Sequence, residues 1–330
     1  MIPAIDMFSG IGTWTAAASK TGRIEVKAAL NHNEHAVAAS ERMHPGVAHF
    51  QQDALEFNFS ALRPIVGGGF VLGSPSCRDF SSAGQPAKRG TGGNGTVDLA
   101  ALNTMRTQQR NTSWAVVNAA EALDPECVII ENVTQFVDKW KLFPVWQLAM
   151  ESMGYHVRVH RLNALDFGGA TDRERVFVTC RRGSALELIQ SLPGATPRTI
   201  ESCLDADDFK GNRWRPIEST KGATYKKLRS KMAQSGLVRG VLNNVGDGVR
   251  MRPLDDVFPT ITRKTGSQLM VIDGTQDRVR IVNPLELTRA MGWQDHEVSL
   301  PKNRELAGEL IGNAIPRELS DNICNQAVSA

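Results

Sequence analysis

A short apolar strand that runs directly into a glycine turn near the N-terminus constrains the fold more than any other stretch. Ala4–Phe8 has strand character, the turn Ser9–Thr13 carries glycines at positions 10 and 12, and an alanine-rich helix is predicted from about Trp14 to Ser19. Glycines at a strand-to-helix turn let the backbone approach a ligand closely, as in the first crossover of a doubly wound nucleotide-binding sheet. A structural tight turn explains the spacing nearly as well. The full G-x-G-x-x-G and a phosphate-binding lysine are absent from this turn, which disfavours dinucleotides and nucleoside triphosphates.

Further apolar runs are predicted strands that end in polar residues. Glu25–Leu30 is followed by Asn31, and Cys127–Ile130 is followed by Glu131. Ligands in open α/β sheets bind at the carboxyl ends of strands, so these positions belong to the candidate site. A third short strand precedes Asp53, for which a solvated carboxylate that caps a helix is a comparable interpretation.

The cysteine at position 77 is the candidate nucleophile. It follows the apolar run Phe70–Leu72 and lies in a Gly/Pro/Ser-rich turn, where a sulfur can be exposed at a strand end. A buried, inert thiol is the usual meaning of a lone cysteine, because only surroundings that favour the thiolate make it nucleophilic. The glycine-rich segment 83–95 that follows is predicted to be a mobile loop, either a plain linker or a lid that closes on nucleic acid. Lys88 and Arg89 would then lie near phosphate.

The composition is that of a globular intracellular protein. Of 330 residues, 41% are hydrophobic and 22% are charged; no apolar run approaches the roughly 18 residues of a spanning helix. The N-terminus lacks the basic region and apolar core of a secretory signal, so we expect a cytoplasmic location. A net charge of +3 permits nucleic-acid binding without requiring it. The cysteines are scattered, which argues against a disulfide framework and against a metal site; they are Cys77, Cys127, Cys180, Cys203 and Cys324.

Five sequence blocks occur in the order and approximate spacing of a known enzyme family. They are Met7–Gly12, Ser74–Cys77, Glu131–Val133, Arg173–Arg175 and Gly312–Pro316. Together they resemble the cytosine-C5 DNA methyltransferases. The resemblance implies an α/β fold with a doubly wound, Rossmann-like methyltransferase sheet, helices on both faces and a smaller target-recognition domain. It places the cofactor-binding and catalytic domain at 1–180, the target-recognition region at 181–255 and a return segment that completes the catalytic domain at 256–330.

The resemblance also implies covalent catalysis on a cytosine flipped out of the duplex. A thiolate that attacks C6 makes C5 of the ring electron-rich, which divides one difficult step into two easier ones. Cys77 takes this role, and Glu131 supplies a proton at N3. Arg173 or Arg175 donates to O2 or steadies the carboxyl group. The residues assigned to DNA contact are Arg78, Ser81, Lys88 and Arg89.

S-adenosylmethionine is the cofactor that the resemblance implies. The glycine turn would hold its methionine part, Phe8 would lie against the adenine, and Asp53 would accept a hydrogen bond from the adenine amino group. The full predicted set of cofactor-binding residues is Phe8, Gly10, Ile11, Gly12, Asn31, His32, Asp53, Ala54, Asn313 and Ala314.

Three positions depart from the family pattern. Asn31 replaces the acidic residue that normally takes the ribose hydroxyls, Arg78 replaces the glutamine after the cysteine, and Thr171 replaces the glutamine before the two arginines. A cation beside a thiol favours the thiolate, and it could also pair with phosphate or with a carboxylated S-adenosylmethionine. The alternatives to a DNA methyltransferase are an RNA cytosine-C5 methyltransferase, an enzyme that uses such a modified donor, and a catalytically idle nucleic-acid-binding homologue.

The expected partners follow from the same resemblance. Double-stranded DNA is the substrate, a cognate restriction endonuclease is a candidate partner, and no membrane is involved. We expect a monomer in the cytoplasm of a bacterium or of a phage host. Between about 183 and 250 the sequence loses regular periodicity and gains basic residues. Together with Trp214 and Tyr225 these fit phosphate contact and stacking, and a surface helix with solvated lysines explains the composition equally well.

Overall fold

The computed structural model describes residues 1–76, 99–206, 214–220, 222–243, 251–263 and 269–329. The predicted nucleophile Cys77 and the predicted DNA contacts Arg78, Ser81, Lys88 and Arg89 lie outside the described residues. The chain divides into two compact units. The first unit comprises Met1–Leu162, Glu174–Gln190 and Ser320–Ala330, and the second comprises Asn163–Arg173 and Ser191–Leu319. The predicted division into catalytic, recognition and return segments stays a prediction.

A seven-stranded sheet forms the centre of the first unit. Its strands are β1 (Ile2–Met7), β2 (Ile24–Asn31), β3 (Ala48–Gln51), β4 (Phe70–Gly73), β5 (Cys127–Asn132), β6 (His156–Asn163) and β7 (Glu174–Arg181). The spatial order is β3-β2-β1-β4-β5-β7-β6; β1 to β5 pair in parallel, and β7 is antiparallel to β5. The direction of winding reverses between β1 and β4, which creates a crevice at their carboxyl ends. The doubly wound α/β fold is thereby confirmed.

Helices cover both faces of this sheet. They are α1 (Thr13–Lys20), α2 (Glu34–Met43), α3 (Arg63–Val66), α4 (Leu99–Leu123), α5 (Gln135–Lys139) and α6 (Phe143–Ser152). Successive side chains of a strand point to opposite faces. On β7, Val178 therefore joins the apolar cluster that Trp146 of α6 completes, while the neighbouring Phe177 contacts Trp14 of α1 edge to face at 6.2 Å between ring centroids.

An antiparallel four-stranded sheet lies in the second unit. Its strands are β8 (Arg215–Pro216), β9 (Arg239–Asn243), β10 (Leu269–Asp273) and β11 (Arg278–Ile281), in the order β8-β11-β10-β9. The helices are α7 (Ile200–Cys203), α8 (Gly222–Ser235), α9 (Pro284–Ala290) and α10 (Arg304–Asn313). Leu228 of α8 packs with Leu242 and Ile272 in a small core. The centroid of the Trp214 ring lies 4.2 Å from the guanidinium carbon of Arg278 and 5.1 Å from that of Arg280, so its described contacts include two cation–π interactions.

The sequence from about Asn303 to Leu319 predicts one final helical region, and this prediction is wrong. The structure has two helices, α10 and α11 (Arg317–Ser329), with an extended Ala314 after the first of them. Proline lacks a backbone N–H and disfavours the helical conformation of the residue before it, so Pro316 interrupts the helix. The stretch Pro284–Trp293 predicts a helix that starts at its proline and ends before its glycine, and α9 begins at Pro284. Asn283 and Glu286 form a reciprocal capping box there.

The remaining expectations concern cysteines, metals and membranes. Within the described residues the cysteines are buried and form no disulfide bond, at positions 127, 180, 203 and 324. The same part of the chain contains no group of three or more His, Cys, Asp or Glu side chains placed to hold a metal ion. No described helix has both the length and the apolar character that a membrane crossing requires.

Candidate functional site

The turn after β1 is held in a left-handed backbone conformation at three positions. Phe8 has φ 60°, Gly10 has φ 56° and Gly12 has φ 78°. A Cβ atom on Gly12 would lie 2.4 Å from the imidazole of His44, so both the backbone angle and the space require glycine there. Around Gly10 the nearest atom to such a Cβ, Phe8 O, is 4.0 Å away. The turn is therefore packed tightly against neighbouring residues at Gly12, whereas among the described residues there is free space around Gly10.

A buried carboxyl group lies directly beneath this turn. Asp6 is fully buried, and its Oδ2 accepts hydrogen bonds from the backbone N–H of Thr15 at 3.2 Å and from its hydroxyl at 2.8 Å. Burial raises the pKa of Asp6 to about 7, and the hydrogen bonds from Thr15 oppose that effect. Asp6 and Thr15 lie on opposite sides of the glycine turn in the sequence, so their contact closes its base.

The ends of β2 and β3 carry the other predicted cofactor-binding residues of the first unit. The Oδ1 atom of Asn31 accepts from the backbone N–H of Asn33 at 2.9 Å, and His32 is exposed. Asp53 is exposed, and its Oδ1 accepts from the backbone N–H two residues later at 3.0 Å. Ala54 is 4% exposed. These residues therefore lie at or just after the carboxyl ends of β2 and β3, and their role in cofactor binding stays a prediction.

The residues that lead into Cys77 are tied to neighbouring strands and helices. The Ser74 hydroxyl accepts from the indole N–H of Trp14 at 3.2 Å. The carbonyl of Pro75 accepts from the side-chain amide of Asn132 at 3.1 Å. Ser74 and Pro75 follow β4, and Asn132 is the last residue of β5. The approach to the predicted nucleophile is therefore fixed at the carboxyl ends of β4 and β5.

Glu131 and Arg175 form an ion pair at the same edge. Arg175 Nε lies 3.0 Å from Glu131 Oε1, and the two side chains are 12% and 9% exposed. The antiparallel pairing of β5 with β7 causes this contact, because Glu131 is opposite Phe177 and Asn132 is opposite Val176. The pair presents an oriented carboxyl group beside a cation, which is suited to proton transfer to a heterocycle and to stabilising charge on it.

Arg173 has different partners although it lies only two residues before Arg175. Its guanidinium donates to the carbonyl of Ile261, to Gly312 O at 3.0 Å and to Ala314 O at 2.9 Å. These residues all belong to the second unit. The described side-chain hydrogen bonds of Arg173 thus go to backbone oxygens, and its catalytic role stays a prediction. Asn313 is exposed and Ala314 is 6% exposed.

The structure adds residues that the sequence reasoning missed. Asp6, Trp14, His44 and Asn132 all contact the glycine turn, its flanking residues or the approach to Cys77. The sequence could have indicated Asp6, since a charged residue in an apolar strand needs a partner. It could also have indicated Asn132, which directly follows the predicted acid Glu131. Nothing in the sequence indicated His44, because its contact with Gly12 depends on where α2 ends.

Comparisons with known proteins agree with this architecture. A sequence model of the family described as C-5 cytosine-specific DNA methylase matches residues 2–329. The type II methyltransferase M1.HgaI of Avibacterium volantium is 25% identical over 299 residues, which cover 78% of this chain and 78% of that protein. The type II methyltransferase M.Bsp6I of Bacillus sp. (strain RFL6) is 26% identical over 213 residues, or 61% of this chain and 66% of that protein. The solved structure of the Entamoeba histolytica methyltransferase EhMeth has a TM-score of 0.69 at 13% identity and covers 100% of this chain and 98% of its own.

Proposed function

Because the chain belongs to the C-5 cytosine-specific DNA methylase family over residues 2–329, we propose that it transfers a methyl group from S-adenosylmethionine to C5 of a flipped-out cytosine in double-stranded DNA. The observation that carries the proposal is the Glu131–Arg175 ion pair beside the tethered residues that lead into Cys77. An acid and a cation at this place are what the activation of a pyrimidine ring requires.

The proposed reaction begins with the thiolate of Cys77, which forms a bond to C6 of the cytosine. The electron pair of the C5–C6 double bond moves into the C4–C5 bond, the electron pair of the C4–N3 double bond moves to N3, and N3 takes a proton from the protonated carboxyl group of Glu131. Arg175 orients the Glu131 carboxyl through the 3.0 Å contact and stabilises the carboxylate that forms when the proton leaves. S-adenosylmethionine would supply the methyl group, whose bond to C5 forms as its bond to the sulfonium sulfur breaks and the electron pair stays on a neutral thioether. Loss of the C5 proton to a water-derived base then restores the C5–C6 double bond, expels the Cys77 thiolate, and N3 returns its proton to Glu131.

The residues present fit this cofactor. The glycine turn is open at Gly10, where the nearest heavy atom of the described residues, beyond the two chain neighbours, lies 4.0 Å from the position of a Cβ. It lies at the winding reversal between β1 and β4, where a nucleotide-like ligand binds in open α/β sheets. Asn31 and Asp53 would face the ribose and the adenine from the next two strands of the sheet. The other residues predicted to bind the cofactor, Asn313 and Ala314, belong to the second unit.

Covalent trapping tests the proposal. A duplex that contains 5-fluorocytosine cannot lose a proton from C5, so the enzyme should stay attached after methyl transfer. We expect a denaturation-resistant protein–DNA adduct with the wild type and with Cys324→Ala, a control at a buried cysteine. Cys77→Ala should form none. Absence of an adduct with the wild type in the presence of S-adenosylmethionine would contradict the covalent mechanism.

The products distinguish the remaining alternatives. Mass analysis of nucleosides from treated DNA should show 5-methylcytosine; a carboxymethyl product with a carboxylated donor would support the modified-donor alternative. Methylation of a transfer RNA together with inertness towards duplex DNA would support the RNA alternative.

The type II descriptions of two relatives make a cognate restriction endonuclease part of the proposal. The monomeric state and the cytoplasmic location stay predictions.

A further inference from the structure

Two distant segments of the second unit run side by side. Phe258 N donates to Ala170 O at 2.7 Å, and Asp172 N donates to Phe258 O at 3.0 Å. The Thr171 hydroxyl donates to Pro259 O at 3.2 Å, and Thr171 is fully buried. The backbone of 170–172 is therefore fixed against 258–259 immediately before the chain reaches Arg173.

Arg173 extends this pairing to a third segment. One terminal nitrogen of its guanidinium donates to the carbonyl of Ile261, and the other donates to Gly312 O at 3.0 Å and Ala314 O at 2.9 Å. The side chain is 2% exposed. A buried cation is costly unless its hydrogen bonds are satisfied, and the planar fork of arginine can donate in several fixed directions at once. One side chain thus joins residue 261 to residues 312–314.

The same junction is closely packed at Gly312. A Cβ atom there would lie 2.2 Å from Arg263 N and 2.3 Å from Thr262 C. Both atoms are backbone atoms, which cannot move aside without moving the chain. Arg263 also pairs with Glu309 at 2.9 Å. Gly312 allows close packing of α10 against the segment 261–263. The Arg263–Glu309 ion pair and the Arg173 guanidinium hold α10 and the residues after it to that segment.

We infer that Arg173 is a positioning residue that holds Gly312–Ala314 to Ile261 and thereby sets the place of Asn313 and Ala314. Arg173 donates hydrogen bonds to backbone carbonyl groups, whereas Arg175 forms an ion pair with the carboxyl group of Glu131. Only the consequence for cofactor binding rests on the proposed function, through the predicted roles of Asn313 and Ala314. The consequence for local structure does not depend on it.

Hydrogen exchange of the backbone amides tests the structural part. In Arg173→Lys the charge remains, but a compact ammonium cannot match a fork that bonds three carbonyls on two segments. We expect amides in 258–263 and 307–316 to exchange faster than in the wild type. Arg175→Lys is the matched control, and it should leave exchange in these segments unchanged. Unchanged exchange in Arg173→Lys would overturn the inference.

Cofactor affinity and turnover test the functional part. We expect Arg173→Lys to weaken S-adenosylmethionine binding about tenfold, as the loss of a charge-assisted hydrogen bond does. The turnover number at saturating cofactor should stay within about threefold of the wild type, since no reacting atom is touched. A large fall in turnover at unchanged affinity would overturn the inference and make Arg173 catalytic.

Gly312→Ala tests the same junction with Arg173 intact. Its Cβ would push the segment 312–314 away from the backbone of residues 262–263. We expect the same faster exchange and the same loss of cofactor affinity, and a variant that changes neither would overturn the inference. If the wild type transfers no methyl group while the exchange results hold, the proposed function fails and the structural role of Arg173 stands.

Discussion

The two sheets of this protein are stabilised in different ways. β4 of the first unit is buried along its whole length, and β5 from Cys127 to Ile130 is likewise apolar and buried. The second sheet contains charged residues in its interior: Asp273 is 1% exposed and Arg280 is 2% exposed. Arg280 makes a two-pronged ion pair with Glu286 at 2.6 and 2.7 Å. Apolar burial therefore stabilises the first sheet, while matched charges are needed in the second.

This difference has a consequence for where chemistry can occur. In the first unit the polar groups are concentrated at the carboxyl ends of strands, as with the Glu131–Arg175 pair. An apolar sheet does not need such polar groups for its stability, so these groups can bind a ligand. In the second unit the buried arginines already have structural partners. Removal of a buried ion pair should therefore affect stability in the second unit, whereas removal of the Glu131–Arg175 pair in the first unit should affect activity.

The largest effect is expected at the buried ion pair of the second unit. Arg280→Met leaves the Glu286 carboxylate buried without its cation, and removal of one member of such a pair costs about 3–5 kcal/mol. The free energy of unfolding, measured in denaturant, should fall by this amount. In the double variant Arg280→Met with Glu286→Leu much of the loss should be recovered. A loss below about 1 kcal/mol in the single variant would contradict the view that charges hold this sheet.

The pH dependence of stability should have opposite signs at Asp6 and Asp273. The pKa of Asp6 is raised to about 7 in the folded protein, from 3.8. The native state then binds a proton that the unfolded state lacks, so stability falls as pH rises from about 4 to 7, by up to about 4 kcal/mol. In Asp6→Asn this slope should disappear from denaturant titrations across that range. An unchanged slope would show that another group is responsible.

Asp273 provides the opposite sign. Burial raises its pKa, but hydrogen bonds from Thr275 and Arg278 and the charge of Arg239 outweigh burial and lower the pKa below 3.8. Its contribution to stability is present above that pH and is lost as pH falls through the folded value. Asp273→Asn should therefore reduce the destabilisation seen on acidification below pH 4. If acid sensitivity is unaffected, the ion pairs of β10 and β11 do not contribute as described.

A smaller effect on stability is expected at Gly12, with a larger one on binding. Alanine there would have to adopt φ 78° and place its Cβ 2.4 Å from His44. Such strain costs about 1–3 kcal/mol. Calorimetry should show this loss together with weaker S-adenosylmethionine binding, while Gly22→Ala, also at positive φ but with open space around it, should leave binding unchanged. If the Gly12 and Gly22 variants bind S-adenosylmethionine equally well, the glycine turn does not take part in cofactor binding.

The smallest effect is expected at an exposed ion pair. Lys27 and Glu25 lie 2.5 Å apart with 41% of each side chain exposed. Exposed pairs contribute roughly 0–1 kcal/mol because solvent screens them. Lys27→Met should change the free energy of unfolding by less than about 0.5 kcal/mol and should leave activity intact. A loss comparable to that of Arg280→Met would remove the contrast between buried and exposed charges.

Much of the first unit could be predicted from the sequence. The strand before the glycine turn, the second strand and the strand ending at Glu131 are confirmed, because their apolar runs are buried on both faces of a parallel sheet. The break at Pro316 was missed, although proline signals it. The place of Cys77 stays a prediction. The irregular region between 183 and 250 gave no pattern, since β8 and β9 there have only two and five residues and α8 is rich in polar residues.

The sequence by itself determined the doubly wound sheet, the glycine turn and the polar residues at strand ends, since these depend on local patterns of burial and backbone freedom. Only the tertiary structure decided which arginine meets which acceptor. Arg175 reaches Glu131 because β7 runs antiparallel beside β5. Arg173 reaches carbonyl groups 88 and 139 residues further along the chain. The partner of a charged side chain depends on how the whole chain folds, so it cannot be predicted from the residues next to that side chain in the sequence.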